Sequence, residues 1–242
     1  MNLQIHRYHR AQAGPRGNAP GMLDAHFSYL AAHCHCVLPG EPLAHERLNV
    51  CLTFDDAYFD FYSVVFPLLE KHNLKAVLSV APVLIREQAA FPDDTRTHAT
   101  VEWDCGPHYT DGFCTWTELA TLAASGRVAI AAQSQTHRTL DHGAIDFEAE
   151  IARPQAVLAE RLGQRIESFV FPQGRFSTAA LRKVREHYRY AFGIGRTAND
   201  DWNAMLLYRL DGDEIASPSA LLPPPRAGLT PARSLLRRFR FC

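Results

Sequence analysis

Residues 49 to 56 read "NVCLTFDD", an apolar run that ends in two adjacent carboxylates. The run predicts a buried strand. The residues after it predict an amphipathic helix, because apolar side chains recur there at i, i+3 and i+4 spacing. Those side chains are Phe61, Val64, Val65, Leu68 and Leu69. Pro67 lies within this pattern, so the helix is expected to kink or to begin late.

The same order of strand and then helix recurs along the chain. Further strands are predicted by "KAVLSVAP" (75–82), "RVAIAA" (127–132), "IESFVF" (166–171) and "YAFGIG" (190–195). A capping box in "TWTE" (115–118) begins a short helix that Gly126 ends. Residues 147–163 predict a helix interrupted at Pro154, and residues 177–188 predict one capped by Ser177. Strands that alternate with helices indicate an α/β fold with a parallel sheet, either closed as a barrel or open and doubly wound.

Composition favours one folded domain over residues 1–222. The chain has 242 residues, of which 47% are hydrophobic, enough for a single large core. Its formal net charge of -1 argues against nucleic acid as a partner recruited by bulk charge. No run approaches the roughly 20 apolar residues of a membrane span, and Arg7 and Arg10 break the apolar character that a secretory signal needs. A soluble cytoplasmic protein is therefore expected.

Two segments lack a periodic pattern. Residues 86–114 are long for a connection, so they are either disordered or a lid over a site. This loop contains His98, Asp104 and His108, although loop histidines are usually solvated. The Pro/Arg-rich tail, residues 223–242, is either a basic segment that contacts a membrane surface or a partner, or a solvated tail, which its composition favours.

The segment "HCHC" (33–36) invites a zinc interpretation. In a strand, however, alternation places the two histidines on one face and the two cysteines on the other, which suits shared zinc ligation poorly. A plain strand is therefore favoured. Six cysteines in a chain of this length also do not indicate a disulfide framework.

Polar residues follow three of the predicted strands. Asp55 and Asp56 follow the first, Gln133 and His137 the next, and the turn "PQG" (172–174) a third. One aspartate alone would be explained as a helix N-cap. Two adjacent carboxylates at one strand end repel each other unless a cation or a proton relieves the repulsion. Because the carboxyl ends of parallel strands meet at one edge, the three groups are expected to form one cleft.

These motifs resemble those of the polysaccharide deacetylase family, also called NodB-homology proteins or carbohydrate esterase family four. "TFDD", "QSQTH" and "FPQG" are similar to its three motifs, and the opening "YHR" fits a bacterial branch without a secretion signal. The resemblance implies a distorted (β/α) barrel of seven or eight parallel strands. It also implies that metal-assisted attack of water removes an N- or O-linked acetyl group from a sugar or glycan precursor.

Residue roles follow from the resemblance. It implies that Asp56 and His137 bind a divalent cation, zinc or cobalt, with Gln133 at the position of the third ligand. Asp55 would be the general base, and the backbone N–H of Gln173 would stabilise the oxyanion. The resemblance further implies a substrate-binding group formed by Tyr58, Phe171, Pro172 and Gly174.

The sequence departs from the family pattern at four points. Gln133 replaces a metal-binding histidine, Ala57 replaces a glycine, Gln173 replaces a tyrosine, and no late histidine is placed to act as general acid. An amide oxygen is a weaker zinc ligand than imidazole, so metal occupancy is left open. His9 and His142 are candidates for the acid, although a packed or solvated histidine is the plainer interpretation of each.

Three functional hypotheses remain. A metal-dependent carbohydrate deacetylase is favoured, because "TFDD" and His137 are both kept. A metal-independent amide hydrolase on the same fold, or a catalytically impaired sugar-binding relative, would explain Gln133 directly.

Overall fold

Parallel strands form one sheet that closes on itself. The computed structural model describes residues 3–98 and 112–222. The described strands are β1 (Leu3–Tyr8), β2 (Cys34–Cys36), β3 (Leu48–Phe54), β4 (Ala76–Val80), β5 (Val128–Ala132), β6 (Ser168–Val170), β7 (Tyr190–Ile194) and β8 (Leu207–Asp211). Their order is β1-β8-β7-β6-β5-β4-β3-β2, and β1 also pairs with β3. Seven strands therefore close into a barrel with β2 outside, which confirms the predicted distorted (β/α) barrel.

Side-chain alternation along the strands divides the core in two. One apolar cluster lies inside the barrel and includes Leu3, Ile5 and Cys51. The other lies between the sheet and the helices. Toward the carboxyl ends of the strands, the inward positions change from apolar to polar. These polar inward residues are Thr53, Asp55, Ser79, Gln133 and Arg209, all buried. The pleat of the sheet thus collects polar groups at one end of the barrel.

Six described α-helices accompany the strands: α1 (Pro20–His33), α2 (Phe66–Lys71), α3 (Asp93–Thr97), α4 (Trp116–Ala124), α5 (Arg153–Leu162) and α6 (Thr178–His187). The capping box of α4 is present, with Thr115 and Glu118 bonding reciprocally. Ser177 caps α6 by accepting a hydrogen bond from the N–H of Ala180. Both helix starts were therefore predicted correctly.

The two helix interruptions predicted at prolines are widened helical turns. A π-helical turn at Phe61–Val65 runs into α2, and another at Glu148–Ala152 runs into α5. In each, the N–H of the residue after the turn bonds to a carbonyl five residues earlier. A proline ring would clash with the carbonyl four residues before it in a regular helix, and the wider turn relieves this clash.

The "HCHC" segment divides between two elements. His33 is the last residue of α1, and Cys34–Cys36 forms the edge strand β2. The predicted strand is confirmed for the last three residues only, because His33 belongs to the C-terminal turn of α1. There its Nδ1 lies 2.8 Å from the carbonyl oxygen of Tyr29. The described cysteines Cys34, Cys36, Cys51 and Cys114 are free thiols.

The start of the predicted lid is ordered against the barrel. Residues Asp93–Thr97 form α3, which the absence of periodicity over 86–114 did not predict. The buried guanidinium of Arg96 anchors this helix by bonding both carboxylate oxygens of Glu118, at 2.7 and 2.8 Å, and the carbonyl of Phe113. His98 is exposed. Asp104, His108 and the tail over 223–242 lie outside the described residues. None of the described helices is long and apolar enough to cross a membrane.

Candidate active site

A cleft of about 420 Å³ opens at the carboxyl ends of the strands. Five residues predicted from the strand-end motifs line it: Asp55, Asp56, Gln133, His137 and Gln173. His9, one of the two candidates for the general acid, also lines it. The cleft further contains charged residues that the motifs did not indicate, namely Arg7, Arg16, Asp211, Asp213 and Glu214. The three strand ends therefore meet in one pocket, as the sequence predicted.

Asp55 is held by a buried arginine from β8. Arg209 donates hydrogen bonds to both carboxylate oxygens of Asp55, at 2.6 and 3.0 Å, and Ser79 donates one at 3.1 Å. Burial raises the pKa of Asp55, but the charge and hydrogen bonds of Arg209 outweigh it and hold this pKa below its usual range. Asp55 is therefore ionised at neutral pH and fixed in orientation.

His9 lies opposite Asp55 and is paired with a second carboxylate. Its Nδ1 lies 2.5 Å from Oδ2 of Asp213, and its backbone N–H donates to Oδ1 of the same residue at 3.0 Å. The other ring nitrogen, Nε2, lies 4.0 Å from Oδ2 of Asp55. By contrast, the side chain of His142 is 76% exposed and pairs with Asp141. Of the two candidates for the acid, His9 has the geometry of an oriented proton carrier.

Asp56, Gln133 and His137 form a compact triangle. The amide nitrogen of Gln133 donates to Oδ1 of Asp56 at 2.8 Å, and Nε2 of His137 lies 3.1 Å from both of these atoms. The second carboxylate oxygen of Asp56 faces a guanidinium nitrogen of Arg16 at 3.5 Å. Burial raises the pKa of Asp56, but His137, His9 and Arg16 outweigh it and hold this pKa well below its usual range.

Left-handed backbone conformations aim these side chains. Asp56, Ala57 and His137 have φ values of 74°, 51° and 60°. Ala57, which stands where the family pattern has glycine, thus adopts the conformation that glycine favours. Such strain persists only where surrounding contacts fix it, and it is frequent at functional sites.

Glu150 fixes the loop that carries His137. Its Oε2 accepts hydrogen bonds from the backbone N–H groups of Gln135 and Thr136, each at 3.1 Å. Its Oε1 accepts from the hydroxyl of Thr136 at 2.9 Å. Glu150 belongs to the π-helical turn before α5, on the far side of a loop from His137. Sequence reasoning missed it because a glutamate on an amphipathic helix resembles any solvated one.

The third motif forms a tight turn beside the cleft. Gln173 has φ 54° and ψ 12°, and Gly174 follows with φ 65°. A Cβ on Gly174 would lie 2.8 Å from Cδ1 of Ile194, so a side chain there has no room. Only glycine combines this φ with so close an approach.

The predicted substrate-binding side chains do not line the cleft. Phe171 is fully buried and packs on Phe176 with ring centroids 4.0 Å apart. Pro172 is buried as well. Tyr58 is stacked between Phe113 and the guanidinium of Arg10. Its pKa is raised by burial and then by the nearby charge of Asp56. Tyr58, Phe171 and Pro172 are thus buried beside the cleft and are not among the residues that line it.

Comparison with known proteins identifies the family. The sequence profile described as polysaccharide deacetylase matches residues 44–217. The chain belongs to the polysaccharide deacetylase family. Membership confirms the resemblance of the three motifs and supports carbohydrate deacetylation, a hydrolysis of amide or ester bonds, as the chemistry of this cleft. No curated protein sequence matches the chain significantly.

Solved structures share the fold at low sequence identity. The Streptococcus pyogenes deacetylase PplD, in complex with acetate, is 20% identical with a TM-score of 0.72, over 93% of this chain and 99% of that chain. A de-N-acetylase from Aggregatibacter actinomycetemcomitans is 18% identical with a TM-score of 0.69, over 99% and 100%. The BpsB deacetylase domain from Bordetella bronchiseptica is 19% identical with a TM-score of 0.65, over 88% and 96%. At these identities the similarity establishes the barrel.

Proposed function

We propose that this chain hydrolyses an N- or O-linked acetyl group on a carbohydrate or glycan precursor. The observation that carries the proposal is that a supported carboxylate and a supported imidazole lie next to each other in the cleft. Asp55, ionised by Arg209, lies 4.0 Å from the Nε2 of His9, which Asp213 orients. A base and an acid that lie side by side, both within reach of one bound acetyl group, are what acyl transfer to water requires.

Asp55 acts as the general base in the proposed reaction. Water adds to the acetyl carbonyl carbon, and its proton passes to the carboxylate of Asp55. The oxyanion that forms accepts a hydrogen bond from the backbone N–H of Gln173, which lines the same cleft. Family members with a full set of metal ligands draw on a divalent cation to polarise the carbonyl.

His9 acts as the general acid. The bond between the carbonyl carbon and the sugar nitrogen or oxygen breaks, and the Nε2 proton of His9 passes to that leaving atom. Asp213 stabilises the protonated imidazole through Nδ1 and fixes the ring orientation. The products are acetate and a free amine or hydroxyl on the sugar. Rate should therefore require ionised Asp55 together with protonated His9.

The metal ligands of the family pattern are incomplete in this chain. Asp56 and His137 have donor atoms directed to a common point, but Gln133 presents its NH₂ group there, and that group has no free lone pair for a cation. A catalytic zinc site uses three protein ligands. The donor set does not fit a zinc site, so the geometry favours the metal-independent version of the hydrolase.

Acetate release tests the proposal. Purified protein should release acetate from 4-nitrophenyl acetate or from N-acetylated oligosaccharides, and Asp55→Asn should lower the rate by about 100-fold or more. Asp200→Asn is the matched control, because Asp200 is exposed and its neighbour Asn199 bonds Leu3 at the opposite end of the barrel. Equal rates for wild type and Asp55→Asn would refute the assignment of the base.

A further inference from the structure

Gln133 holds together the two side chains that a metal would otherwise join. Its amide nitrogen lies 2.8 Å from Oδ1 of Asp56 and 3.1 Å from Nε2 of His137. Gln133 is buried, at 2% exposure, so little of its surface is open to water. The NH₂ group therefore occupies the point toward which both donor atoms are directed.

The orientation of this amide is fixed by its other end. Oε1 of Gln133 accepts the backbone N–H of Asp56 at 3.1 Å, and it shares the single hydroxyl proton of Ser79, at 2.9 Å, with the carboxylate of Asp55, at 3.1 Å. A backbone N–H is only a donor. Turning the amide to present its oxygen to a cation would set the NH₂ group against the N–H of Asp56, donor against donor. Burial makes such an unmet donor costly, so the chain itself holds Gln133 in the orientation that cannot ligate.

Both oxygens of Asp56 already have positively polarised partners. Oδ1 accepts from the NH₂ of Gln133, and Oδ2 faces the guanidinium of Arg16. Arg16 is set in place by its backbone, whose N–H donates to Glu214 and whose carbonyl accepts from Arg10. The positive charge of this half-exposed arginine thus lies on the cleft side of the carboxylate, where a cation would bring charge.

We infer that this cleft is a cation-independent hydrolytic site, in which the Gln133 amide and the Arg16 guanidinium take the places of a divalent metal ion. The inference rests on the proposed function for its chemistry, and on Gln133 alone for metal exclusion. In this site Asp56 and His137 have a structural role, because the Gln133 amide joins them. Arg16 supplies positive charge near the acyl oxygen.

Metal binding measured without substrate gives the first test. The wild type, purified in buffers supplemented with zinc, should contain well below one zinc ion per chain. It should also take up well below one ion per chain in competition with a chromogenic chelator. Gln133→His restores an imidazole at the third position and should gain about one zinc ion per chain. Stoichiometric zinc in the wild type, lost on Gln133→Ala, would overturn the inference.

Activity gives the second test. EDTA should leave wild-type acetate release unchanged, while Arg16→Met should lower it by about 10-fold or more and Arg16→Lys should retain most of it. Arg165→Met is the matched control, because the Arg165 side chain is 85% exposed and precedes β6 at the other end of the barrel. Loss of wild-type activity in EDTA, restored by zinc, would contradict the inference. A wild type that neither binds zinc nor releases acetate would refute the hydrolase and support the exclusion of metal.

Discussion

Arg209 binds both carboxylate oxygens of Asp55 beneath the floor of the cleft, at 2.6 and 3.0 Å. The two residues are 154 positions apart in the chain, and both are almost completely buried. A buried bidentate pair of this kind fixes the carboxylate in direction as well as in charge. The charge and the orientation of Asp55, the proposed base, are therefore determined by Arg209, which lies on β8, a strand without a recognisable motif.

Replacing Arg209 should shift the pH at which activity is lost on the acidic side of the pH–rate profile, here called the acidic limb. Arg209 holds the pKa of Asp55 low, so Arg209→Met should raise that pKa and shift the loss of kcat/KM to higher pH. Arg209→Lys keeps the charge and should shift the limb less. The pH dependence of acetate release measures this. An unchanged limb in Arg209→Met would show that Asp55 is not the group whose ionisation limits the rate.

The same pair has a consequence for stability. Because the folded pKa of Asp55 is depressed, its contribution to stability is fully present above the unfolded value of about 3.9 and is lost as pH falls through the folded value. Arg209→Met leaves a buried charge unpaired, which costs about 3–5 kcal/mol in comparable cases. Urea denaturation at pH 7 should show this loss, and a smaller loss for Arg209→Lys.

Asp213→Asn should impair proton transfer by His9. The two oxygens of Asp213 accept from the backbone N–H and the Nδ1 of His9, and an asparagine has only one oxygen for these two donors. We expect kcat/KM to fall by about 100-fold. Asp211→Asn is the control for lost negative charge in the cleft, since Asp211 pairs with Arg7, and asparagine keeps the Oδ1 that accepts the backbone N–H of Asp213. Equal losses in the two variants would refute a specific role for the His9–Asp213 pair.

Glu150→Ala should loosen the loop that carries His137. It leaves the backbone N–H of the half-buried Gln135 without its acceptor, at about 1–3 kcal/mol, whereas water can reach the N–H of the exposed Thr136. Glu150→Gln keeps an acceptor oxygen and should retain most of the stability and activity. Glu148→Ala, an exposed glutamate in the same turn, is the control. Thermal unfolding and the rate of acetate release should be measured for both alanine variants. Equal melting temperatures and equal rates for Glu150→Ala and Glu148→Ala would contradict the prediction.

Gly174→Ala separates backbone strain from steric conflict. Gly126 and Gly174 share a left-handed φ, of 69° and 65°, but a Cβ on Gly126 would meet nothing within 4 Å. Gly126→Ala should therefore cost only the left-handed penalty of about 1–2 kcal/mol. Gly174→Ala should cost a further ~1–3 kcal/mol through contact with Ile194 and should lower activity by moving Gln173. Equal shifts in melting temperature would show that the turn adapts.

Much of the architecture was predictable from local pattern. The apolar run "NVCLTF" placed β3, the capping signals placed the starts of α4 and α6, and Pro67 and Pro154 marked the two widened turns. Strands β1 and β8 and helix α1 were not predicted. Helix α1 shows no concentrated apolar face, and the inward positions of β8 include the charged Arg209, which breaks the apolar signal of a buried strand.

By itself the sequence determined which residues follow the strands, and hence that Asp55, Asp56, Gln133, His137 and Gln173 share one end of the barrel. Strand alternation and the common direction of parallel strands are local rules that suffice for this. Closure of the barrel decided the partners of these residues, because it joins Asp55 to Arg209 and His9 to Asp213 across most of the chain. It also decided the direction of the Gln133 amide. The two ends of an amide have nearly the same shape, so the backbone N–H of Asp56, which can only donate, determines which end faces the cleft.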